Sequence, residues 1–461
     1  TKIPHFPARQ ACALTSPMSD TDTQDRDAGL AARQGAHRLI TAVLKQKRAL
    51  DEAFADEATK GALAGLAPAD RGFARAIATT TIRHIGEIDL VIKRLLDKKL
   101  PPRAGLTQTI LRAAIAEILF LDVKHHAAVD LAVEAASRDD DAMHFKSLVN
   151  AVLRRLLRET DTIRADIDGE RAALPQWLWR SWIGIYGEIK TREIIRAQFN
   201  EPPLDLTVKD ETQLAHWAEK LNATILPSGS LRLNASGRVE LLEGFDEGAW
   251  WVQDAAAALP TKLLGDVKNR DVLDLCAAPG GKTLWLASRG ANVTALDRSA
   301  PRLERLTQNL ERLALKAEII VEDATKFAPE RQWDAILLDA PCTATGTARR
   351  HPDVLQLKSA ADRDRLTQLQ SRLLAHSATL LSVGGTIVYC TCSLEPEEGP
   401  KQISAFLESH PDFARLAIDA SEVGDMSEAI TKDGDLRTLP CHLPELGGLD
   451  GFYAARLIRK S

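Results

Sequence analysis

Val272-Leu273-Asp274-Leu275-Cys276-Ala277-Ala278-Pro279-Gly280-Gly281-Lys282-Thr283 is the stretch on which the reading of this chain turns. Val272, Leu273 and Leu275 predict a buried parallel strand, and the apolar pattern from Leu284 to Ser288 predicts the start of a helix. The Pro-Gly-Gly break therefore falls at a strand-to-helix turn, where open α/β sheets bind ligands. Without β-carbons, Gly280 and Gly281 let the backbone approach a ligand closely. The free N–H groups of the next helix favour a carboxylate or phosphate. A phosphate-binding P-loop also ends in G-K-T but needs glycine five residues before Gly281, where Cys276 stands, which argues against a nucleotide triphosphatase. A purely structural turn is opposed by Asp297. This acid closes the next apolar run, Ala291 to Leu296, roughly 20 residues beyond Asp274, and is placed to accept hydrogen bonds from ribose hydroxyls. The two features together point to an adenosine cofactor.

Outward from this stretch, strand and helix signals alternate regularly from Ala249 onward, as a doubly wound domain requires. Strands are predicted at Val272–Leu275, Asn292–Leu296, Glu318–Val321, Asp334–Leu338 and Gly385–Tyr389, with a late pair near Leu436–Leu439 and Gly451–Leu457. From Ala36 to about Glu159 apolar residues recur at helical spacing (Ile40, Val43, Leu44; Phe73, Ile77, Ile82; Ile110, Ala114, Leu119, Leu121) with no strand signal, which predicts a helical bundle. Between them lies a mixed connector with a Trp-rich helix pattern at Trp177, Trp179 and Trp182. Aromatics at this spacing more commonly pack a small domain than stack on bases. Residues 1–35 carry Pro, Ser, Thr and Asp with little periodicity and are expected to be a disordered arm, with Met18 a candidate natural start.

The 461 residues exceed one hydrophobic core, and 45% hydrophobic with 27% charged content is ordinary for a soluble chain. No apolar run reaches the roughly 20 residues of a membrane helix. A net charge of −5 argues against a wholly basic nucleic-acid coat but allows a local basic face. Six cysteines without a C-x-x-C pair or secretory signal fit a reducing, cytoplasmic setting. The pair Cys390/Cys392 lacks further ligands at zinc spacing, so no metal is expected.

D-L-C-A-A-P-G-G-K-T resembles the S-adenosylmethionine loop of the Nol1/Nop2/Sun family of RNA 5-methylcytosine methyltransferases. Trp251-Val252-Gln253-Asp254-Ala255-Ala256-Ala257 and Asp450-Gly451-Phe452-Tyr453 match further family segments. Leu206-Thr207-Val208-Lys209 departs from them, because the family shows L-R-V-N there. The stretches A-H-R-L-I-T-A-V-L, D-R-G-F-A-R-A-I-A-T-T-T-I-R and L-V-N-A-V-L-R-R-L resemble the RNA-binding domain of the antitermination factor NusB, with Ser147 where that pattern often has Gly. The resemblance implies a Rossmann-like class I methyltransferase with a mostly parallel seven-stranded sheet. It is preceded by an all-α NusB-like bundle and a small linker domain, with boundaries at 1–35, 36–160, 161–248 and 249–461. It implies S-adenosylmethionine held by Cys276, Ala277, Ala278, Pro279, Gly280, Gly281, Lys282, Asp297, Asp323 and Asp339. Asp323 is the acid after the third strand and would meet the adenine amino group. A lone Asp there is otherwise a common helix cap.

Two further strand ends each present a cysteine: Asp339-Ala340-Pro341-Cys342-Thr343 and Tyr389-Cys390-Thr391-Cys392-Ser393. Carbon 5 of a pyrimidine becomes nucleophilic only when a thiolate adds at carbon 6, and cysteine suits that covalent role. Asp339, if protonated or sharing a proton with ring nitrogen 3, would stabilise the adduct, and by the family match Cys392 attacks and Cys342 assists release. The expected partner is RNA, small-subunit rRNA in particular, and a monomer is expected. Arg350-His351-Pro352-Asp353 also matches, where a basic group could hold a phosphate. The competing readings are a DNA cytosine-5 methyltransferase, which would attack with the Pro-Cys cysteine, and a non-catalytic rRNA-binding assembly factor.

Overall fold

The structure, a computed structural model, describes residues 20–233 and 237–460, with side chains from residue 26. Contacts divide the chain into two units. Among the described residues, 20–42, 51–81 and 91–165 form one, and 43–50, 82–90, 166–233 and 237–460 form the other.

The first region is helical: α1 (Asp20–Leu44), α2 (Leu50–Thr59), α3 (Pro68–Arg83), α4 (Ile85–Leu95), α5 (Thr107–Phe120), α6 (His125–Ser137) and α7 (Lys146–Asp166). The apolar stripe read from the sequence is the buried one, with Ile40, Val43, Ile77, Ile82, Ile110 and Ala114 all shielded from solvent. The expected arm needs correction from residue 20 onward, because Asp20–Leu44 is one continuous helix and Leu30, Ala32 and Arg33 are buried. Arg33 is held inside by a two-pronged pairing with Glu117 of α5, a partner that local composition does not announce. The expectation for residues 1–19, Met18 included, lies outside the described residues. Arg154 and Arg158 are exposed, and Arg155 pairs with Glu159 at 3.0 Å.

In the connector, the helix Gln176–Phe199 breaks at Gly187. Its Trp179 and Trp182 are buried against Ala348, Leu355, Leu394 and Leu439, so these indoles pack rather than stack on bases. A small antiparallel sheet follows, built from β1 (Leu204–Val208), β2 (Thr224–Ile225), β3 (Leu231–Leu233) and β4 (Trp250–Val252), in the order β2-β3-β1-β4. It reaches past the expected boundary at 248.

The large sheet contains β5 (Asp271–Leu275), β6 (Asn292–Asp297), β7 (Glu318–Val321), β8 (Trp333–Asp339), β9 (Leu381–Thr391), β10 (Phe413–Arg415), β11 (Leu436–Thr438) and β12 (Phe452–Arg459). Seven strands run in the order β10-β12-β9-β8-β5-β6-β7, and β11 pairs with β12 as an eighth. The pairs β5–β6, β5–β8, β6–β7 and β8–β9 are parallel, whereas those of β12 are antiparallel. Successive side chains leave a strand on opposite faces, so a strand covered on both sides must be apolar throughout. Accordingly Val272, Leu337 and Val388 enter one core, and Leu273, Leu275, Ile336, Leu338, Ile387 and Tyr389 enter the other. The chain proceeds outward from β5 to β7 and then returns to the far side of β5 as β8. The crevice between the carboxyl ends of β5 and β8 is thus the topological switch point, where such sheets receive ligands. Among the described residues no helix is long and apolar enough to cross a membrane.

Candidate active site

At the end of β5 the chain turns through Cys276, whose φ is 61°. The Ala277 N–H donates to Leu296 O at 3.1 Å and the Ala278 N–H donates to Asp297 Oδ2 at 3.2 Å, so the glycine loop is tied to the next strand. Gly280 has a φ of 112° and its missing β-carbon would collide with Leu306, so glycine is required there. The helix Gly281–Ser288 then begins with its first N–H groups at the sheet edge.

Charged side chains gather around this turn. Lys282 is buried and donates from Nζ to Asp339 Oδ2 at 2.8 Å, with the Phe452 ring 5.1 Å away. Burial opposes its charge, yet the Asp339 carboxylate holds the ammonium above the usual lysine range. Asp274 accepts from Thr283 Oγ1 at 2.5 Å through one oxygen, while Oδ1 is buried with no hydrogen-bond partner among the described residues. That orphaned acceptor beneath a glycine loop fits a cofactor that brings its own donor. Burial pushes the Asp274 carboxyl up to about 7. Between about pH 4 and 7 the native group therefore holds a proton that the unfolded chain has released, and stability falls as pH rises through that window. Asp274→Asn cannot ionise. The cofactor-free variant should melt close to wild type at pH 4 and be more stable at pH 8, by up to about 4 kcal/mol. Parallel pH profiles for the two proteins in urea unfolding would show that Asp274 does not carry this cost.

Asp297 ends β6 and also accepts from the Ser299 N–H at 2.9 Å. Asp323 stands two residues past β7, exposed, with one oxygen accepting the Thr325 N–H at 2.9 Å and hydroxyl at 2.7 Å. The backbone bond from Thr325 leads the causes that hold this carboxyl below its ordinary range. Asp323 is thus occupied in part by closing the turn at Thr325, and it caps no helix, since no described helix follows before β8.

The two cysteine motifs leave adjacent parallel strands. Asp339 of β8 is in register with Cys390 of β9, whose buried thiol lies 3.6 Å from Asp339 Oδ1. Burial, then Asp339, raises that thiol far above the ordinary cysteine range. One step further, Cys342 and Cys392 bring their sulfurs to 3.4 Å. Both are half-buried, and the hydrogen bond with Cys392, followed by burial, raises the Cys342 thiol. The Gly346 N–H donates to Cys392 O at 2.9 Å and the Gly451 N–H to Gly346 O at 2.8 Å. A β-carbon on Gly346 would strike Gly451 O, so this close approach excludes side chains. The sequence-predicted residues Cys276, Lys282, Asp339, Cys342 and Cys392 are thus collected at one sheet edge, with Asp297 and Asp323 at the next two strand ends.

Arg350 differs from its reading as a phosphate clamp. Its guanidinium meets Asp254 at 2.6 Å, Asp450 at 3.4 Å and Asp205 at 3.5 Å, so its charge is answered within the protein. Glu398 went unnoticed in the sequence. It is fully buried and receives hydrogen bonds from the Thr343 N–H at 2.9 Å, Ser393 Oγ at 2.5 Å and Gln370 Nε2 at 3.1 Å. A Pro-Glu-Glu run after a strand carries no local signal of such burial.

Residues 261–458 match the family described as 16S rRNA methyltransferase RsmB/F, and residues 30–158 match the NusB family. The chain is 34% identical to ribosomal RNA small subunit methyltransferase B of Pasteurella multocida over 93% of its length and 96% of that protein. It is 35% identical to the same-named protein of Pseudomonas putida over 93% of its length and 98% of that protein. The crystal structure of PH0851 superposes with a TM-score of 0.72 at 25% identity, covering 94% of this chain and 98% of that one. NSun6 from Pyrococcus horikoshii shares the fold over 63% of this chain and 99% of its own, with a TM-score of 0.53 at 18% identity. With both family models matched and same-named relatives aligned along nearly its whole length, the chain belongs to the family of ribosomal RNA small subunit methyltransferase B and is an S-adenosylmethionine-dependent methyltransferase.

Proposed function

We propose that the protein methylates carbon 5 of a cytosine in small-subunit ribosomal RNA, as a monomer, through a covalent cysteine–cytosine adduct. The observation that carries this reading is the pair of thiols 3.4 Å apart on neighbouring strand ends, beside Asp339 and the glycine loop. Methylation of an exocyclic amine or a hydroxyl needs no such pair. The loop Cys276–Lys282 with Asp297, Asp323 and Asp339 would hold S-adenosylmethionine, which supplies an electrophilic methyl group when bound.

Cys392 forms the S–C6 bond, and the C5=C6 electron pair moves onto carbon 5, which then takes the methyl group. Asp339, sharing a proton with ring nitrogen 3, balances the charge that develops on the ring, and Lys282 fixes its orientation through the 2.8 Å contact. The proton on carbon 5 then leaves with the help of Cys342. The C5=C6 bond re-forms and Cys392 departs as thiolate. The base must be splayed out of any stack to reach this edge, so RNA choice falls to surfaces away from the chemistry. The NusB-like bundle is the proposed surface, with the helices from Asp20 to Asp166 as the RNA-binding domain, the segment ending in β4 at Val252 as linker and the large sheet with its helices as the methyltransferase domain.

Digestion of in vitro methylated rRNA to nucleosides followed by mass spectrometry tests the reading. The expected product is 5-methylcytidine alone, with DNA of the same sequence left unmodified. Methyl groups on nitrogen 4, on uridine or on DNA would overturn it.

A further inference from the structure

Glu398 grips the residue that follows each of the two cysteines. Its carboxylate accepts from the backbone N–H of Thr343, next after Cys342, at 2.9 and 3.2 Å, and from the hydroxyl of Ser393, next after Cys392, at 2.5 Å. The Thr343 hydroxyl also donates to it and stands 3.2 Å from the Ser393 hydroxyl. Gln370 donates both to Glu398 at 3.1 Å and to the carbonyl of Pro341, just before Cys342, at 2.8 Å. The main-chain carbonyl of Glu398 accepts from Tyr389 at 2.9 Å and Thr391 at 3.2 Å, the residues flanking Cys390 on β9. The Thr343 N–H and the Gln370 amide nitrogen can only donate and both reach Oε1, while the Thr343 and Ser393 hydroxyls meet Oε2. Burial raises this carboxyl above the ordinary glutamate range, and an amide in its place would turn the two short hydroxyl contacts into longer N–H···O bonds.

We infer that Glu398 is a positioning residue that sets the spacing of Cys342 and Cys392, holding the loops after β8 and β9 in one register so that the two sulfurs serve the same base. It rests on the reading of these cysteines as the reacting pair. Glu398 is fully buried and acts only through the loops it joins. An error of about 1 Å in a reacting group costs on the order of 100-fold in rate, and the two loops share no other charged tie of this kind among the described residues.

The test is Glu398→Gln in the full-length protein, with Ser393→Ala as a milder second variant that removes one tie and leaves the carboxylate in place. Two measurements are made on each folded variant. One is kcat and KM for rRNA methylation. The other is the rate at which diamide closes a Cys342–Cys392 disulfide; its N=N bond takes up two electrons and two protons as the thiols are oxidised. Glu398→Gln should lower kcat by about 100-fold with KM for RNA within about 3-fold, and slow disulfide closure by at least about 10-fold. Ser393→Ala should shift both in the same direction by a smaller factor. Unchanged closure in Glu398→Gln overturns the inference, whatever happens to kcat, because spacing is what closure reads. If Glu398→Gln does not fold, unchanged closure in Ser393→Ala overturns it instead. Closure does not depend on the reaction. Slowed closure together with covalent capture of 5-fluorocytosine RNA by Cys392→Ala would sustain the spacing role while removing the assignment of Cys392 as nucleophile.

Discussion

Cys392→Ala should lose methyl transfer by on the order of 10⁴-fold or more while binding S-adenosylmethionine and RNA as wild type does. The side chain is half-buried at the end of β9, and removing one sulfur there leaves the strand pairing with β8 and β12 untouched. Nothing in the remaining site replaces the proposed S–C6 bond. Cys390 is buried with its thiol turned to Asp339, and burial and that carboxylate disfavour its thiolate. Cys276 lies at the glycine loop, where burial and three nearby carboxylates likewise hold the thiol protonated. Cys342 is the one sulfur in contact, yet it hangs from the loop after β8, and a nucleophile displaced by several ångströms from its productive line is a poor substitute. The check is threefold: radiolabelled methyl transfer, calorimetric cofactor binding, and capture on RNA carrying 5-fluorocytosine, whose carbon 5 has no proton to release. Intact binding with neither transfer nor capture is the expected pattern. Capture at wild-type rate in this variant would remove Cys392 from the covalent step.

The parts of this site legible in the sequence share a physical cause. Parallel strands buried on both faces must be largely apolar along their length, so Asn292–Leu296 and Asp334–Leu338 stand out as runs. The polar residue that ends each run, Asp297 or Asp339, marks the carboxyl edge where chemistry is placed. Short edge strands carry no such constraint. Phe413–Arg415 has three residues and the strands of the small sheet two to five, too few for a period of two to declare itself. What stayed hidden was long-range pairing. The part of α1 before residue 36 reads as a polar arm until the buried Arg33 meets Glu117, 84 residues away. Arg350 reads as a free cation until Asp205, Asp254 and Asp450 arrive from three separate segments. Glu398 carries no signal in the sequence, and its role appears only when two cysteine loops, one of them more than 50 residues earlier, turn their donors onto it. Charge burial is decided by partners that only the fold assembles, and no local pattern encodes them.

Cys342→Ala should fail differently, by accumulating protein bound to RNA. With Cys392 intact, the proposed mechanism proceeds through thiolate addition and methylation of carbon 5 and should stop where a proton must leave carbon 5. The free protein is well arranged to delay this base until it is needed. The leading cause of the raised Cys342 thiol is its hydrogen bond with Cys392, and the charge of a Cys392 thiolate acts in the same direction. Once Cys392 is bonded to carbon 6 its sulfur is a neutral thioether, and both influences weaken. Cys342 then ionises more readily than in the free protein, at a distance of 3.4 Å from the sulfur that holds the base. Removing a general base of this kind costs roughly 10²- to 10⁴-fold in the step it serves. Release should therefore become slower than addition, and a denaturing gel should show a shifted, nuclease-sensitive band that forms only with cofactor present. The band should carry one methyl group per adduct by mass. The opposite pattern, capture in Cys392→Ala and none in Cys342→Ala, would exchange the two roles and place the attacking thiol in the Pro-Cys motif, as a DNA-type mechanism requires.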